Sequence, residues 1–104
     1  MIERVIGSLS PKIGNLPYLT GVGLSNLGIN GTFPNSLQKC TRLTYLDLSY
    51  NYITGNVPAW VKSIKTLNIL YLNENELSGK PPVPSKNQTF RLEGNKFSGV
   101  TNAV

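Results

Sequence analysis

The chain has 104 residues, of which 39% are hydrophobic and 14% charged, and it carries a formal net charge of +5 without any His. This length allows one domain, and so few charges exclude a coiled coil or a charge-rich disordered segment. A single Cys excludes an internal disulfide or a cysteine metal cluster, and no apolar run approaches the roughly 20 residues that span a bilayer.

The N-terminal segment, 1–16, is predicted to be part of a repeat, since "VIGSLSPKIGNL" matches the later "ITGNVPAWVKSI" position by position. It lacks the basic-then-apolar layout of a secretory signal, so we expect this chain to begin inside a longer one. No N-terminal cap is visible, although the end coils of repeat proteins normally need one. We therefore predict self-association through the uncapped N-terminal edge, which carries four apolar residues: Ile2, Val5, Ile6 and Leu9.

The rest of the chain divides into three repeats, 17–40, 41–64 and 65–84, and a short terminal repeat, 85–104. A shift by one repeat superposes leucines, glycines and prolines: Leu19, Leu43 and Leu67; Gly31, Gly55 and Gly79; Pro34, Pro58 and Pro82. The terminal copy, "FRLEGNKFSG", returns after a shorter spacing than the earlier copies. Self-similarity at a period of about 24 residues with the pattern L-x-x-L-x-L-x-x-N predicts leucine-rich repeats.

Each repeat predicts the same succession of local structures. The L-x-L pattern predicts a strand with one buried face, and such strands must stack into a parallel sheet to cover that face. The Asn that follows can hydrogen-bond the backbone of neighbouring coils, which predicts a ladder of three residues: Asn51, Asn75 and Asn95. In the first repeat Leu27 takes the ladder position and Asn26 stands one residue early, so either the ladder begins one repeat later or this turn is remodelled.

The return half of each repeat, such as "AWVKSIK", is expected to form a short helical turn. In that repeat Val61 and Ile64 should point inward, with the lysines toward water. Cys40 shares a column with Ile64 and is predicted to be a buried small hydrophobe, and Trp60 is predicted to be a packing or half-exposed residue rather than a ligand contact. Together these elements predict an α/β fold: a right-handed leucine-rich-repeat solenoid of about four coils, with a parallel β-sheet on the concave face and short helical or 3₁₀ turns on the convex side.

The pattern "L-x-x-L-x-L-S-x-N-x-I-T-G-x-V-P-x-x-V-x-x-I" resembles the plant-specific class of leucine-rich repeat. That class occurs in ectodomains of plant receptor-like kinases, in receptor-like proteins and in polygalacturonase-inhibiting proteins. The ending "SGKPPVPSKNQTFRLEGN" resembles a receptor's last, compressed repeat. The resemblance implies an extracellular or cell-surface location. Two sequons agree with it and make Asn30 and Asn87 candidates for glycosylation.

The repeat alignment also predicts which residues face solvent on the concave sheet. Seven of them are candidate ligand contacts: Tyr45, Asp47, Tyr50, Ile69, Tyr71, Glu74 and Arg91. Exposed Tyr beside carboxylates suits an extended peptide, because Tyr offers a large area with few rotors to freeze. The alternative is that Tyr and Ile are ordinary strand formers that cover the sheet. The alignment also places Ser49 and Asn73 toward solvent, and Gly21 and Gly23 leave the first coil's face bare.

Most basic residues fall on the return halves, away from the exposed aromatic residues: Lys12, Lys39, Arg42, Lys62 and Lys65. This separation argues against nucleic acid as a partner. We interpret these residues as a solubilising surface, with a groove for phosphate or cell-wall polyanions as the alternative. Asp47 and Glu74 are not expected to act as a catalytic acid and base, because they lie on an open surface without a desolvating pocket.

The sequence therefore predicts a non-catalytic recognition module of a receptor-like ectodomain, which binds a peptide or protein and needs no cofactor or metal. Direct membrane insertion of this segment is not expected. One alternative is an inhibitor of a secreted cell-wall-degrading enzyme, similar to the polygalacturonase-inhibiting proteins. A weaker one is a structural or ice-binding repeat, because two polar columns run along the coils before they break at the last one: Thr20, Thr44, Asn68 and Gln88; Ser25, Ser49, Asn73 and Glu93.

Overall fold

The computed structural model describes residues 11–16 and 18–98, which form the stacked coils of a solenoid. Seven short strands and three 3₁₀ helices make up this part of the chain. They are η1 (Pro11–Asn15), β1 (Gly21–Gly23), β2 (Asn30–Thr32), η2 (Asn35–Lys39), β3 (Tyr45–Asp47), β4 (Tyr52–Asn56), η3 (Ala59–Ser63), β5 (Ile69–Tyr71), β6 (Glu76–Ser78) and β7 (Thr89–Arg91). The edge predicted to self-associate, with Ile2, Val5, Ile6 and Leu9, lies outside the described residues.

Four strands form the predicted parallel sheet, in the order β1-β3-β5-β7. Tyr45 lies opposite Gly21 and opposite Ile69, one full repeat away in each direction, whereas Ile69 lies opposite Thr89 in the shorter last copy. The central side chain of each strand points inward, and Leu70 in β5 is completely buried. The repeat period and its shortened last copy are therefore confirmed as structural periods.

A second parallel sheet, β2-β4-β6, follows the first one around the coil, and the repeat pattern does not predict it. Two of its strands, β2 and β4, contain glycines, which read as turn residues in the sequence. Gly31 and Gly55 have positive φ angles of 85° and 83°, which Gly adopts without a steric penalty. Gly31 pairs with Ile53 and Gly55 with Leu77, whereas the repeat alignment matches Gly31 with Gly55. Residues aligned by the repeat are therefore not direct neighbours in this sheet.

The interior is filled by aliphatic side chains from both sheets and from the 3₁₀ helices. The buried apolar residues are Val22, Ile29, Phe33, Leu37, Cys40, Leu43, Leu46, Leu48, Ile53, Val61, Ile64, Leu67, Leu70, Leu72 and Leu77. Val61 and Ile64 thus point inward as predicted. Burial raises the pKa of the Cys40 thiol, so this residue behaves as a small hydrophobe.

Trp60 packs between two coils, as predicted. Its half-buried ring meets the Phe33 ring edge-on, with centroids 5.5 Å apart and an interplanar angle of 73°. Its Nε1 donates a hydrogen bond of 3.1 Å to Asn35 Oδ1. Trp60 therefore ties η3 to η2 on the return side of the solenoid.

The Asn ladder is present with the three predicted rungs: Asn51, Asn75 and Asn95. Oδ1 of Asn51 accepts hydrogen bonds from the N–H groups of Leu27 and Ile29 in the preceding coil, at 3.1 and 3.0 Å. Its Nδ2 donates to the carbonyl oxygens of Leu24 and Leu48, both at 2.9 Å. Each rung thereby satisfies backbone groups of two coils at the point where the strands end.

The first repeat combines the two alternatives that its sequence left open. The ladder begins at Asn51. Its side chain accepts a hydrogen bond from the backbone N–H of Leu27, the residue that takes the ladder position in the first coil. The turn is remodelled as well, because Gly28 adopts a positive φ of 76° that the corresponding Tyr52 does not share.

Candidate functional site

The first sheet carries the predicted ligand contacts in two groups. Five lie on strands, and we term them the concave row: Tyr45 and Asp47 on β3, Ile69 and Tyr71 on β5, and Arg91 on β7. Tyr50 and Glu74 lie in the turns that follow β3 and β5. Arg91 is exposed and the other four residues of the concave row are half-buried, so the row presents a surface of partly shielded side chains.

Three side chains of the concave row touch in series across the strands. Tyr45 and Tyr71 meet edge to face, with ring centroids 6.2 Å apart and an interplanar angle of 79°. The Cζ atom of Arg91 lies 5.2 Å from the centroid of the Tyr71 ring. Each contact is favourable by about 0.5–1 kcal/mol, because aromatic faces carry negative potential and attract cations and ring edges. The series therefore restricts the rotamers of both rings.

Two glycines of β1 make room for the Tyr45 ring. A Cβ atom on Gly23 would lie 3.6 Å from Tyr45 Cε2, and one on Gly21 would lie 3.9 Å from Cδ2. These are ordinary contact distances, so the ring lies beside the face of the first coil. The bare face expected from the sequence is thus partly covered by Tyr45.

Asp47 is occupied by partners inside the sheet. Tyr45 Oη donates a hydrogen bond of 3.2 Å to its Oδ2, and the backbone N–H and the hydroxyl of Ser49 donate to its Oδ1 at 2.9 and 2.6 Å. Partial burial, then the Asp47 carboxylate and Tyr71, raise the pKa of Tyr45, so its phenol stays neutral near pH 7. Asp47 therefore fixes the orientation of Tyr45. Sequence reasoning missed Ser49 in this role, although an acid two residues before a Ser is a known signal for such local bonds.

Tyr50 and Glu74 flank the concave row at the ends of strands β3 and β5. Both have left-handed backbones, with φ angles of 56° and 60°, as do the equivalent Asn26 and Gly94 at 57° and 75°. The Tyr50 side chain is 57% exposed, whereas the Glu74 carboxylate lies directly against the position of a Cβ on Gly94. A left-handed backbone costs a residue with a side chain about 1–2 kcal/mol, so these turns contain local strain.

Ser49 and Asn73 do not face solvent, contrary to the repeat alignment. Both are 5% exposed. The strands end at Asp47 and Tyr71, so the alternation of inward and outward side chains does not extend to these positions. Asn73 Oδ1 is buried and has no hydrogen-bond partner within residues 11–16 and 18–98.

The two candidate glycosylation sites lie apart from the concave row. Asn30 is exposed on β2 in the second sheet, and Asn87 is exposed in the turn before β7. In the part of the chain that the structure describes, no group of three or more Cys, Asp or Glu side chains is placed to hold a metal ion. No helix of that part is long and apolar enough to cross a membrane.

The columns of leucine, asparagine and glycine define a class of protein. Residues 17–77 match the family model described as "Leucine rich repeat", and the chain belongs to this family. Its relatives are plant receptor-like proteins and receptor kinases. It is 40% identical over 68 residues to Receptor-like protein 48 of Arabidopsis thaliana, an alignment that covers 64% of this chain and 8% of the relative. The chain spans between 6% and 12% of the length of the Arabidopsis relatives compared with it.

Solved structures show the same fold. The chain superposes on the crystal structure of PEPR1-AtPEP1 with a TM-score of 0.84 and 34% identity, covering 92% of this chain and 14% of that one. The plant peptide hormone receptor RGFR1 in complex with RGF2 gives a TM-score of 0.72 and 33% identity over 76% of this chain and 13% of that one. A plant ice-binding protein gives 0.80 and 28% over 91% and 32% of the two chains.

Proposed function

We propose that this chain is a recognition segment of a plant receptor-like ectodomain, which binds a peptide or protein ligand through the concave row. It works without catalysis, outside the cell, as part of a longer secreted or membrane-anchored protein. The kinship with receptor-like proteins and receptor kinases supports this proposal. The observation that carries it is the series of contacts Arg91–Tyr71–Tyr45, which aligns partly exposed aromatic surface across three strands.

The residues of the concave row have different roles in this proposal. Tyr45 and Tyr71 supply apolar area whose rotamers are already restricted, so a ligand loses less entropy in binding them. Ile69 pairs with Tyr45 in the sheet and adds apolar contact. Arg91, which has no carboxylate within 4.0 Å among the described residues, supplies hydrogen-bond donors to the ligand. Asp47 is a positioning residue for Tyr45 rather than a ligand contact.

Tyr50 and Glu74 border this surface and contact the flanks of a ligand. N-glycans at Asn30 and Asn87 would extend from the second sheet and from the turn before β7, and they would leave the concave row open. We expect both sequons to be used when the chain passes through a secretory pathway.

The test uses peptides selected from a displayed random library on the full chain. A Tyr45→Ala, Tyr71→Ala double variant should bind the selected peptides at least about tenfold more weakly, because two Tyr anchors are lost from one surface. The matched control is Tyr18→Ala, Tyr52→Ala, which removes two Tyr side chains that are 73% and 54% exposed outside the first sheet. This control should keep the affinity of the unaltered chain.

The proposal fails if the peptides bind the Tyr45→Ala, Tyr71→Ala variant as tightly as the unaltered chain, or if the control loses affinity equally. Circular dichroism spectra of both variants should match that of the unaltered chain, since the substituted side chains lie outside the buried core.

The two other functions considered from the sequence receive less support. The relatives reported above are receptors, which favours a receptor over an enzyme inhibitor. The likeness to a plant ice-binding protein is a likeness of fold. Burial of Ser49 and Asn73 removes one of the two polar columns on which an ice-binding surface would depend.

A further inference from the structure

The return halves of the coils carry charge of one sign. Between residues 11 and 73 the sequence contains five basic residues and a single acid, Asp47, which belongs to the concave row. Four of the basic side chains are exposed on the return halves, and we term them the convex basic face: Lys39, Arg42, Lys62 and Lys65. None of them forms an ion pair within the described residues. Their positive potential is therefore not neutralised locally.

Two of these side chains rest on the preceding coil. Arg42 Cζ lies 4.9 Å from the centroid of the Tyr18 ring. A Cβ atom on Gly14 would lie 3.3 Å from Lys39 Cδ, so the aliphatic stem of Lys39 crosses the bare backbone of Gly14. Such contacts along the stem restrict the rotamers of a long side chain while its charged group stays in water. A ligand then loses less entropy when it binds these charges.

Neighbouring coils are tied together beside the convex basic face. Thr66 Oγ1 donates hydrogen bonds to the carbonyl oxygens of Thr41 and Leu43, at 3.3 and 2.7 Å, and these two residues flank Arg42. Lys65 precedes Thr66, so it lies in the coil adjacent to that of Arg42. Lys39 and Arg42 belong to one coil and Lys62 and Lys65 to the next, so the convex basic face places four positive charges on two adjacent coils.

We infer that the convex basic face binds a linear acidic polysaccharide. The repeat alignment sets an exposed neutral polar side chain from an adjacent coil beside each of three lysines: Ser63 beside Lys39, Gln38 beside Lys62, and Thr41 beside Lys65. A polymer that carries a carboxylate and hydroxyl groups on each sugar can bond to both kinds of side chain.

Two other polyanions fit this face less well. Single-stranded nucleic acid stacks its bases on open aromatic rings, and Arg42 already covers a face of the Tyr18 ring. An anionic membrane is bound by basic residues together with an apolar face. Among the described residues of this side, the large aliphatic side chains that are largely exposed are Leu16 and Val83, at 54% and 65%, and they belong to different coils.

The probe for this inference is polygalacturonate, with its methyl-esterified form as the uncharged reference. A Lys62→Glu, Lys65→Glu variant of the full chain should bind polygalacturonate at least about tenfold more weakly, because repulsion replaces attraction at two sites. The matched control, Arg91→Glu, Lys96→Glu, makes the same change in net charge on strand β7 and beside strand β6, away from the return halves, and should stay within about twofold. Binding by the unaltered chain should weaken as NaCl rises from about 50 to about 500 mM.

Equal losses in the two charge-reversed variants would overturn the inference, because net charge alone would then explain binding. Equal binding of the methyl-esterified polymer, or tighter binding of anionic phospholipid vesicles or polyadenylate, would overturn it as well. A Lys39→Gln, Lys65→Gln variant provides a second test if charge reversal disturbs the fold. The Tyr45→Ala, Tyr71→Ala variant should bind polygalacturonate normally, so this inference and the proposed function can fail independently.

Discussion

Asn51 connects the backbones of two coils from a buried site. It is 5% exposed, and its amide bonds to N–H groups of the first coil and to carbonyl groups of both coils. A buried backbone group that loses its partner costs about 1–3 kcal/mol. The side chain of Asn51 is therefore worth more to stability than its size suggests.

Replacing this rung should destabilise the protein strongly. We expect Asn51→Ala to lower the free energy of unfolding by about 3 kcal/mol or more, since several buried groups are left unpaired at once. Asn95→Ala removes a half-buried rung from the last described coil, where water can replace the lost bonds, and should cost about 1 kcal/mol. Urea denaturation of the two variants measures the difference. Equal losses would contradict the importance of burial at Asn51.

For Asp47 and Tyr45, the sequence predicts the position on the sheet but not the side-chain contacts. The repeat alignment places both on the concave strands, and the structure agrees. The alignment cannot show that Tyr45 and Ser49 donate hydrogen bonds to the Asp47 carboxylate, because those bonds depend on side-chain rotamers and on where strand β3 ends. A carboxylate that looks available in the sequence is therefore a support for its neighbour.

At the scale of elements, the strands of the first sheet are predictable and those of the second are not. The L-x-L pattern reports a strand with one buried face, and Leu46 and Leu70 occupy that face with complete burial. Strands β2 and β4 are hidden by glycines and Asn, and β6 begins with Glu76; these residue types are poor strand formers outside this context. Their pairing comes from the stacking of coils, a tertiary effect that local propensity does not contain.

The left-handed turn after β3 gives a prediction at this scale. Tyr50→Gly should leave the free energy of unfolding unchanged or raise it by up to about 1 kcal/mol, because Gly relieves the strain of a positive φ. Tyr52 is similarly exposed but lies in strand β4, so Tyr52→Gly should lower stability by about 0.5–1 kcal/mol. Thermal unfolding followed by circular dichroism compares the two variants. A larger loss for Tyr50→Gly would contradict the strain inferred at that turn.

At the scale of the whole molecule, the stacking of the coils places aromatic and basic side chains on different faces. Aromatic side chains from coils far apart in sequence meet on the first sheet, and cations collect on the return halves. The period of the repeat predicted both assignments. It did not predict the edge-to-face contact of Tyr45 with Tyr71 or the placement of Arg42 over Tyr18, because side-chain contacts between coils depend on the glycines and rotamers around them.

The most direct test of the concave row is an NMR titration of the full chain with a library-selected peptide. The ring protons of Tyr45 and Tyr71 and the side-chain N–H of Arg91 should shift together with one dissociation constant. Those of Tyr18 and Tyr52, which lie outside the first sheet, should stay in place. Shifts confined to Tyr18 or Tyr52, with the rings of Tyr45 and Tyr71 unmoved, would contradict recognition through this surface.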